Sequence, residues 1–296
     1  MHLRIKTSLL LLPLLLAACS TYRSGYVAVS GGGRLYYEEK GEGEPLLLLH
    51  GHSLDRRMWD KQFTPFARHY RTIRLDFRGY GRSSDQDEQL PMTHVDDVIT
   101  LMDSLRIDQA HVVGLSMGAF TAGDMLAMYP GRMKSCVLAS GSIRRGSPPP
   151  SEPMDSAERA RRDVEIAALI EKGVDVMKHE WLEQLISSGG SQRERMRKPL
   201  WRMISDWTAW QPLHKEVRLF YGREAWDSLC SRRPSVPVLM LTGETEHKNY
   251  RPRELDYLPN GRHLILPDCG HMMNMEQPDS FNRAVLQFIG QTDNHQ

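Results

Sequence analysis

The chain has 296 residues, 40% of them hydrophobic and 25% charged, with a formal net charge of +1. These are ordinary proportions for a folded globular chain, and the length leaves room for one large core with an insertion. A near-neutral balance gives no ground for a nucleic-acid partner, and the absence of any CxxC pair or HExxH run gives none for a metal.

The N-terminus reads as a targeting segment rather than as part of the fold. Arg4 and Lys6 form a positive start, and the apolar run Leu9–Leu16, broken by Pro13, is too short to span a bilayer. It ends in Leu16-Ala17-Ala18-Cys19, which resembles the lipobox of bacterial lipoproteins. That resemblance implies cleavage after residue 18 and lipid attachment at Cys19, where several acyl chains would anchor stably as a single chain would not. Removal of 1–18 takes away two cations and no acid, so the formal charge moves from +1 to −1. Ser20, being other than Asp, resembles the outer-membrane sorting pattern of Gram-negative lipoproteins. The remaining thiols, Cys136, Cys230 and Cys269, are odd in number and do not suggest a disulfide framework.

Beyond the anchor, Gly25–Gly33 reads as a strand and turn, and Arg34–Lys40 as a second strand closed by Gly41 and Gly43. Leu46–Leu49 is a short all-apolar run, which suits a strand buried on both faces of a parallel sheet. Similar runs follow at 72–75, 111–113, 136–139, 236–241 and 263–266, with helical stretches between them. Thr93 is placed to cap a helix over 95–105, and a last helix is expected over 280–289, after Pro278. Alternating strand and helix predicts a doubly wound α/β sheet. The segment from Ile143 to Arg233 breaks that alternation. It opens on Pro148–Pro150, holds five of the six tryptophans, and places Leu200, Met203, Ile204 and Trp207 at helical spacing. It reads as a helical cap whose aromatic rings mostly fill its own core, with one or two facing a pocket.

The chemistry centres on Gly114-Leu-Ser116-Met-Gly118, which follows the strand at 111–113 and precedes a helical run over 119–129. A serine on a sharp strand-to-helix turn needs neighbours without bulk, and the helix N-terminus behind it favours developing negative charge. Serine attacks only when a base takes its proton. Of the 12 histidines, His271 stands in a loop between the last strand and the last helix, directly after Gly270. The base needs an acid to fix its tautomer, and Glu244 and Glu246 both follow the strand at 236–241. Either gives the chain order serine, acid, histidine. An oxyanion hole would draw one N–H from Met117 and a second from His52, where Gly51 lets the backbone approach closely. His50 and His52 read as loop architecture rather than as metal ligands.

Together these residues resemble the α/β-hydrolase superfamily, and its small esterase, lactonase and cofactor-free haloperoxidase-like members in particular. The resemblance is carried by His50-Gly51 with Met58-Trp59-Asp60, by the run Asp76–Ser84, by Gly114–Gly118, and by Gly270-His271 through Glu276 and Pro278. It implies a mostly parallel eight-stranded sheet flanked by helices, with a core at 26–143 and 234–296, a cap at 144–233 and a tether at 19–25. It also implies that the acid lies three residues after Gly243, at Glu246, a glutamate where aspartate is usual, with Glu244 as the substitute. Asp76 and Arg78 are then loop supports. The expected activity is hydrolysis of a carboxylic ester or lactone through an acyl-enzyme, on a small-molecule substrate and without metal or cofactor. The same triad would also serve C–C or amide hydrolysis or perhydrolysis. Dehalogenase and epoxide hydrolase chemistry is disfavoured because those relatives carry Asp where this chain has Ser116. A non-catalytic, membrane-tethered binding protein on the same scaffold is the alternative of another class.

Overall fold

The computed structural model describes residues 22–150, 152–215, 218–246 and 252–293. The signal segment and Cys19 lie outside these residues. Eight strands, β1 (Tyr22–Ala28), β2 (Arg34–Lys40), β3 (Pro45–Leu49), β4 (Arg71–Leu75), β5 (Ala110–Leu115), β6 (Met133–Ala139), β7 (Val238–Gly243) and β8 (Gly261–Leu266), form one sheet in the order β1-β2-β4-β3-β5-β6-β7-β8. β1 with β2 and β2 with β4 pair antiparallel, and every other pair is parallel. The chain is thus an α/β protein with a mostly parallel eight-stranded sheet flanked by helices, as expected.

Two boundaries differ from the sequence reading. Tyr22–Ser24, read as tether, are strand, with Tyr22 opposite Lys40 and Ser24 opposite Glu38. Val236 falls outside β7 because Pro237 has no N–H to give to a central ladder, so pairing starts at Val238.

The apolar runs explain the layers. Successive strand side chains point to opposite faces, so Leu47 and Leu49 join one core with Val112, while Leu46 and Leu48 join the other with Val113 and Leu115. The first core is closed by α2 (His94–Ser104) and α3 (Met117–Met128), the second by α1 (Asp60–Phe66) and the last helix, Pro278–Asp293. Thr93 caps α2 as expected, its hydroxyl accepting from the Asp96 amide at 3.0 Å.

Among the described residues, five helices lie between β6 and β7: α4 (Ser156–Lys172), α5 (Val174–Ser187), α6 (Glu194–Asp206), α7 (Trp210–Leu213) and α8 (Arg223–Arg232). They are followed by α9 (Met273–Glu276) and α10 (Pro278–Asp293). In α6, Leu200, Met203 and Ile204 are buried, and Trp207 at its end is buried with them. No helix among the described residues is long and apolar enough to cross a membrane.

Candidate active site

Strands β3, β5, β6, β7 and β8 run parallel, so their C-terminal ends share one edge of the sheet. The loops that leave this edge carry all the residues singled out as catalytic or oxyanion-binding. His50–His52 follow β3, Ser116 follows β5, Ser140 follows β6, Glu246 follows β7 and His271 follows β8.

Ser116 forms the turn between β5 and α3 with φ 56° and ψ −116°. A non-glycine residue at positive φ is strained, and strain of this kind persists only where the surroundings fix it. The flanking glycines supply that fit. A Cβ on Gly114 would come within 2.1 Å of the Gly118 carbonyl oxygen, and one on Gly118 within 2.0 Å of the Leu49 carbonyl oxygen. The elbow is therefore wedged between its own helix and the end of β3. The Ser116 amide donates to the Ala139 carbonyl at 2.9 Å, which locks the turn to β6.

His271 Nδ1 lies 2.6 Å from Glu246 Oε1, and the other oxygen, Oε2, accepts from the Ser140 hydroxyl at 2.8 Å. A carboxylate only accepts, so the imidazole carries its proton on Nδ1. Glu244 points elsewhere: its Oε2 accepts from the Asp268 amide at 3.0 Å. Of the two candidate acids, Glu246 is the one that reaches the histidine. The base loop is held from behind by Glu276, which is fully buried and accepts from the Gly270 amide at 3.0 Å and the Gly190 amide at 2.7 Å. Burial raises the Glu276 pKa, partly offset by these two donors. A chain of contacts thus joins the serine turn to the histidine: Ser116 to Ala139, its neighbour Ser140 to Glu246, and Glu246 to His271.

The loop after β3 passes beside the serine, and a Cβ on Gly51 would lie 3.6 Å from the Ser116 Cβ. His50 is fully buried, accepts from the Phe77 amide at its Nε2 (2.9 Å), and faces the Gly51 carbonyl with its Nδ1 (2.8 Å). Burial lowers its pKa to about 4, so the ring is neutral and pins two loops together. Among the described residues, neither the His52 nor the Met117 amide donates a hydrogen bond. Asp76 and Arg78 are supports. Asp76 accepts from the Arg56 amide and guanidinium and from the Arg82 amide, and Arg78 pairs with Asp97 at 2.6 Å. Burial drives the Asp76 pKa up to about 6 against the pull of Arg56.

A cavity of about 400 Å³ opens on Ser116, Met117, His52 and Tyr80 and is closed by Trp210 and Phe220 from the segment between β6 and β7. Sequence reasoning missed part of its wall, including Gln86, Phe120, Arg144 and Arg162. These residues come from four separate places in the chain, and none sits in a short-range motif. Trp181 and Trp207 pack on the loop after β3. Trp181 Nε1 donates to Ser53 Oγ at 2.6 Å, and the Trp207 ring lies edge-on to His52 at 4.9 Å. Cys136, Cys230 and Cys269 are free, and no cluster of three metal-ligating side chains occurs among the described residues.

The chain is similar to known proteins over most of its length. Residues 46–284 match the alpha/beta hydrolase family. BpoC of Mycobacterium tuberculosis, which carries the name of a non-heme bromoperoxidase, is 29% identical over 86% of this chain and 97% of its own. The 2-hydroxy-6-oxo-6-phenylhexa-2,4-dienoate hydrolase of Comamonas testosteroni is 27% identical over 87% of this chain and 91% of its own. Among solved structures, the enol-lactonase of Burkholderia xenovorans superposes with a TM-score of 0.62 at 27% identity, covering 90% of this chain and all of that one. The chain is a member of the alpha/beta hydrolase family of enzymes.

Proposed function

We propose that the protein hydrolyses a carboxylic ester or lactone through an acyl-enzyme on Ser116, with His271 as base and Glu246 as its acid. The observation that carries the reading is the 2.6 Å contact between His271 Nδ1 and Glu246, on the same sheet edge as the strained Ser116 turn. In this mechanism Glu246 keeps the Nδ1 proton in place and leaves Nε2 to take the serine proton. Ser116 Oγ attacks the carbonyl carbon, and the oxyanion is met by the His52 and Met117 amides, which have no other acceptor among the described residues. His271 passes its proton to the leaving alkoxide and then activates water for deacylation. The pocket wall contributed by Arg162, Trp210 and Phe220 supports reading 144–233 as a cap that shapes the acyl or leaving-group site.

Names among the relatives span an enol-lactonase and a dienoate hydrolase, so the same triad on a carbon leaving group is the second reading. A short p-nitrophenyl ester panel with Ser116→Ala as control tests the first. Hydrolysis that survives Ser116→Ala at the wild-type rate ends it. Labelling by a fluorophosphonate probe separates an enzyme from a silent binding scaffold. Cys19 is proposed as the lipid attachment site on the strength of Leu16-Ala17-Ala18-Cys19, which would place the domain on a bacterial envelope membrane, facing the periplasm from the outer membrane. Metabolic labelling with a palmitate analogue, lost in Cys19→Ala, checks it.

A further inference from the structure

The His52 side chain has no part in the mechanism above, which uses only its amide. Its position is nonetheless specific. The ring lines the cavity beside Ser116 and is boxed by aromatic edges: Trp207 at 4.9 Å, Tyr80 at 5.9 Å and Trp181 at 6.1 Å. Its Nδ1 lies 2.7 Å from the Tyr80 hydroxyl, which is also 3.4 Å from the Met117 sulfur. Nε2 has no hydrogen-bond partner among the described residues, and His52 is one of the residues that line the cavity.

The proton positions follow from chemistry. Burial among rings lowers the His52 pKa to about 4, with His50 adding to the effect, so the imidazole is neutral and carries one proton. Burial raises the Tyr80 pKa, so the phenol keeps its proton. Two arrangements remain. The phenol donates to Nδ1, or Nδ1–H donates to the phenol and the phenol donates to the Met117 thioether. A thioether is a weak acceptor beside an imidazole nitrogen, so the arrangement in which Tyr80 donates to Nδ1 gives the phenol proton the stronger acceptor. Tyr80 is therefore the donor, and the His52 proton sits on Nε2.

We propose that His52 Nε2–H is a substrate-binding hydrogen-bond donor, oriented by Tyr80, which selects substrates carrying a second acceptor oxygen (oxo, hydroxyl or ether) close to the reacting carbonyl. The proximity follows from the chain itself. The imidazole grows from the residue whose amide faces the oxyanion, so what it meets lies beside the carbonyl carbon. This inference rests on the ester-hydrolase reading. Tyr80 is a positioning residue in it, since its hydroxyl acts only through the imidazole.

The test uses isosteric ester pairs that differ by one oxygen for one methylene. p-Nitrophenyl methoxyacetate is set against the butyrate, and p-nitrophenyl 3-methoxypropanoate against the pentanoate, each rate normalised to hydroxide-catalysed hydrolysis. The readout is a ratio of kcat/KM within one protein sample, which a partly misfolded variant leaves unchanged. Wild type is expected to favour at least one oxygen-bearing ester by about fivefold or more, the range of a neutral hydrogen bond. His52→Phe keeps the amide and the ring shape and should bring that ratio to about one, with the loss in KM. Tyr80→Phe releases the tautomer and should lower the ratio at least about twofold, by the same hydrogen-bond scale. Ratios near one for both pairs in wild-type protein that still hydrolyses the plain esters overturn the inference and leave the ester-hydrolase reading standing. A ratio that His52→Phe does not change also overturns it. A chain that hydrolyses no ester and resists fluorophosphonate loses both.

Discussion

Replacing Glu246 by Gln isolates what its charge does. Gln keeps the shape of Glu. Its amide oxygen can accept from His271 Nδ1–H, and its nitrogen can donate to Ser140 Oγ, because a hydroxyl both donates and accepts. The tautomer is therefore retained, and the interaction lost is that between a carboxylate and the imidazolium that forms in the transition state. Unit charges about 4 Å apart at an effective dielectric near 20 attract by about 4 kcal/mol. The imidazolium is absent from the ground state, so this loss falls on the barrier and not on substrate binding. At about 1.4 kcal/mol per tenfold, the ceiling is a drop of about 10³ in kcat. The His271 and Glu246 side chains are 22% and 17% exposed, so solvent screens part of the attraction, and a drop of about 10²–10³ is expected. Glu246→Ala also frees the ring and should cost about tenfold more, approaching the scale of a lost triad acid. Glu244→Gln is the internal control. Glu244 serves the Asp268 amide, so kcat should stay within about threefold, as for other changes that leave the reacting groups untouched. Steady-state kinetics on a short p-nitrophenyl ester, with KM followed separately, decides the matter. The reasoning is refuted if Glu246→Gln stays within about fivefold of wild type, or if Glu244→Gln takes the larger loss.

His94 is fully buried against Phe77, and neither ring nitrogen has a partner among the described residues. Burial holds its pKa well below 6.5, so the unfolded chain takes up a proton below pH 6.5 that the folded chain refuses, and stability falls as pH drops. His94→Phe should remove that term, its advantage over wild type growing by about 1 kcal/mol between pH 6.5 and 5.5 in urea denaturation; a constant difference across that range refutes it. Gly114→Ala drives a Cβ against the Gly118 carbonyl and should destabilise by about 3 kcal/mol while abolishing fluorophosphonate labelling. A labelled, stable variant would show that the elbow tolerates bulk. Trp181→Phe strips the buried Ser53 hydroxyl of its indole donor and should cost about 1–2 kcal/mol of stability in thermal or urea melts.

Much of the architecture was legible because the strands are buried on both faces. Leu46–Leu49 has no polar residue to spend on a solvent face, and the structure places it at the centre of the sheet, beside β5. Strand ends were less legible, since they depend on which ladder continues. Tyr22–Ser24 become strand because Glu38–Lys40 offers them an edge, which no local pattern announces. The serine turn was readable for a steric reason: Gly114 and Gly118 sit where any Cβ would overlap a carbonyl, so the motif records a physical exclusion. The choice between Glu244 and Glu246 was not decidable from residue chemistry. Both are glutamates after the same strand, and only the fold sends one to Asp268 and the other to His271.

The support beneath the acid was invisible for a different reason. The stretch Ser140-Gly141-Ser142 after β6 holds no carboxylate. Its actual contribution is a hydroxyl that holds the far oxygen of Glu246 from the neighbouring strand end, a role any small donor there could fill. The cavity wall follows the same logic. Arg144, Arg162 and Phe220 are brought together by the path of the segment between β6 and β7, so their residue types carry no signature before folding. Chemistry that needs one residue type at one tight turn is written locally. Orientation and selectivity are assembled from several loops on one sheet edge, and for that reason we look for substrate preference in the cavity wall that includes His52 and Tyr80 rather than in the motif around Ser116.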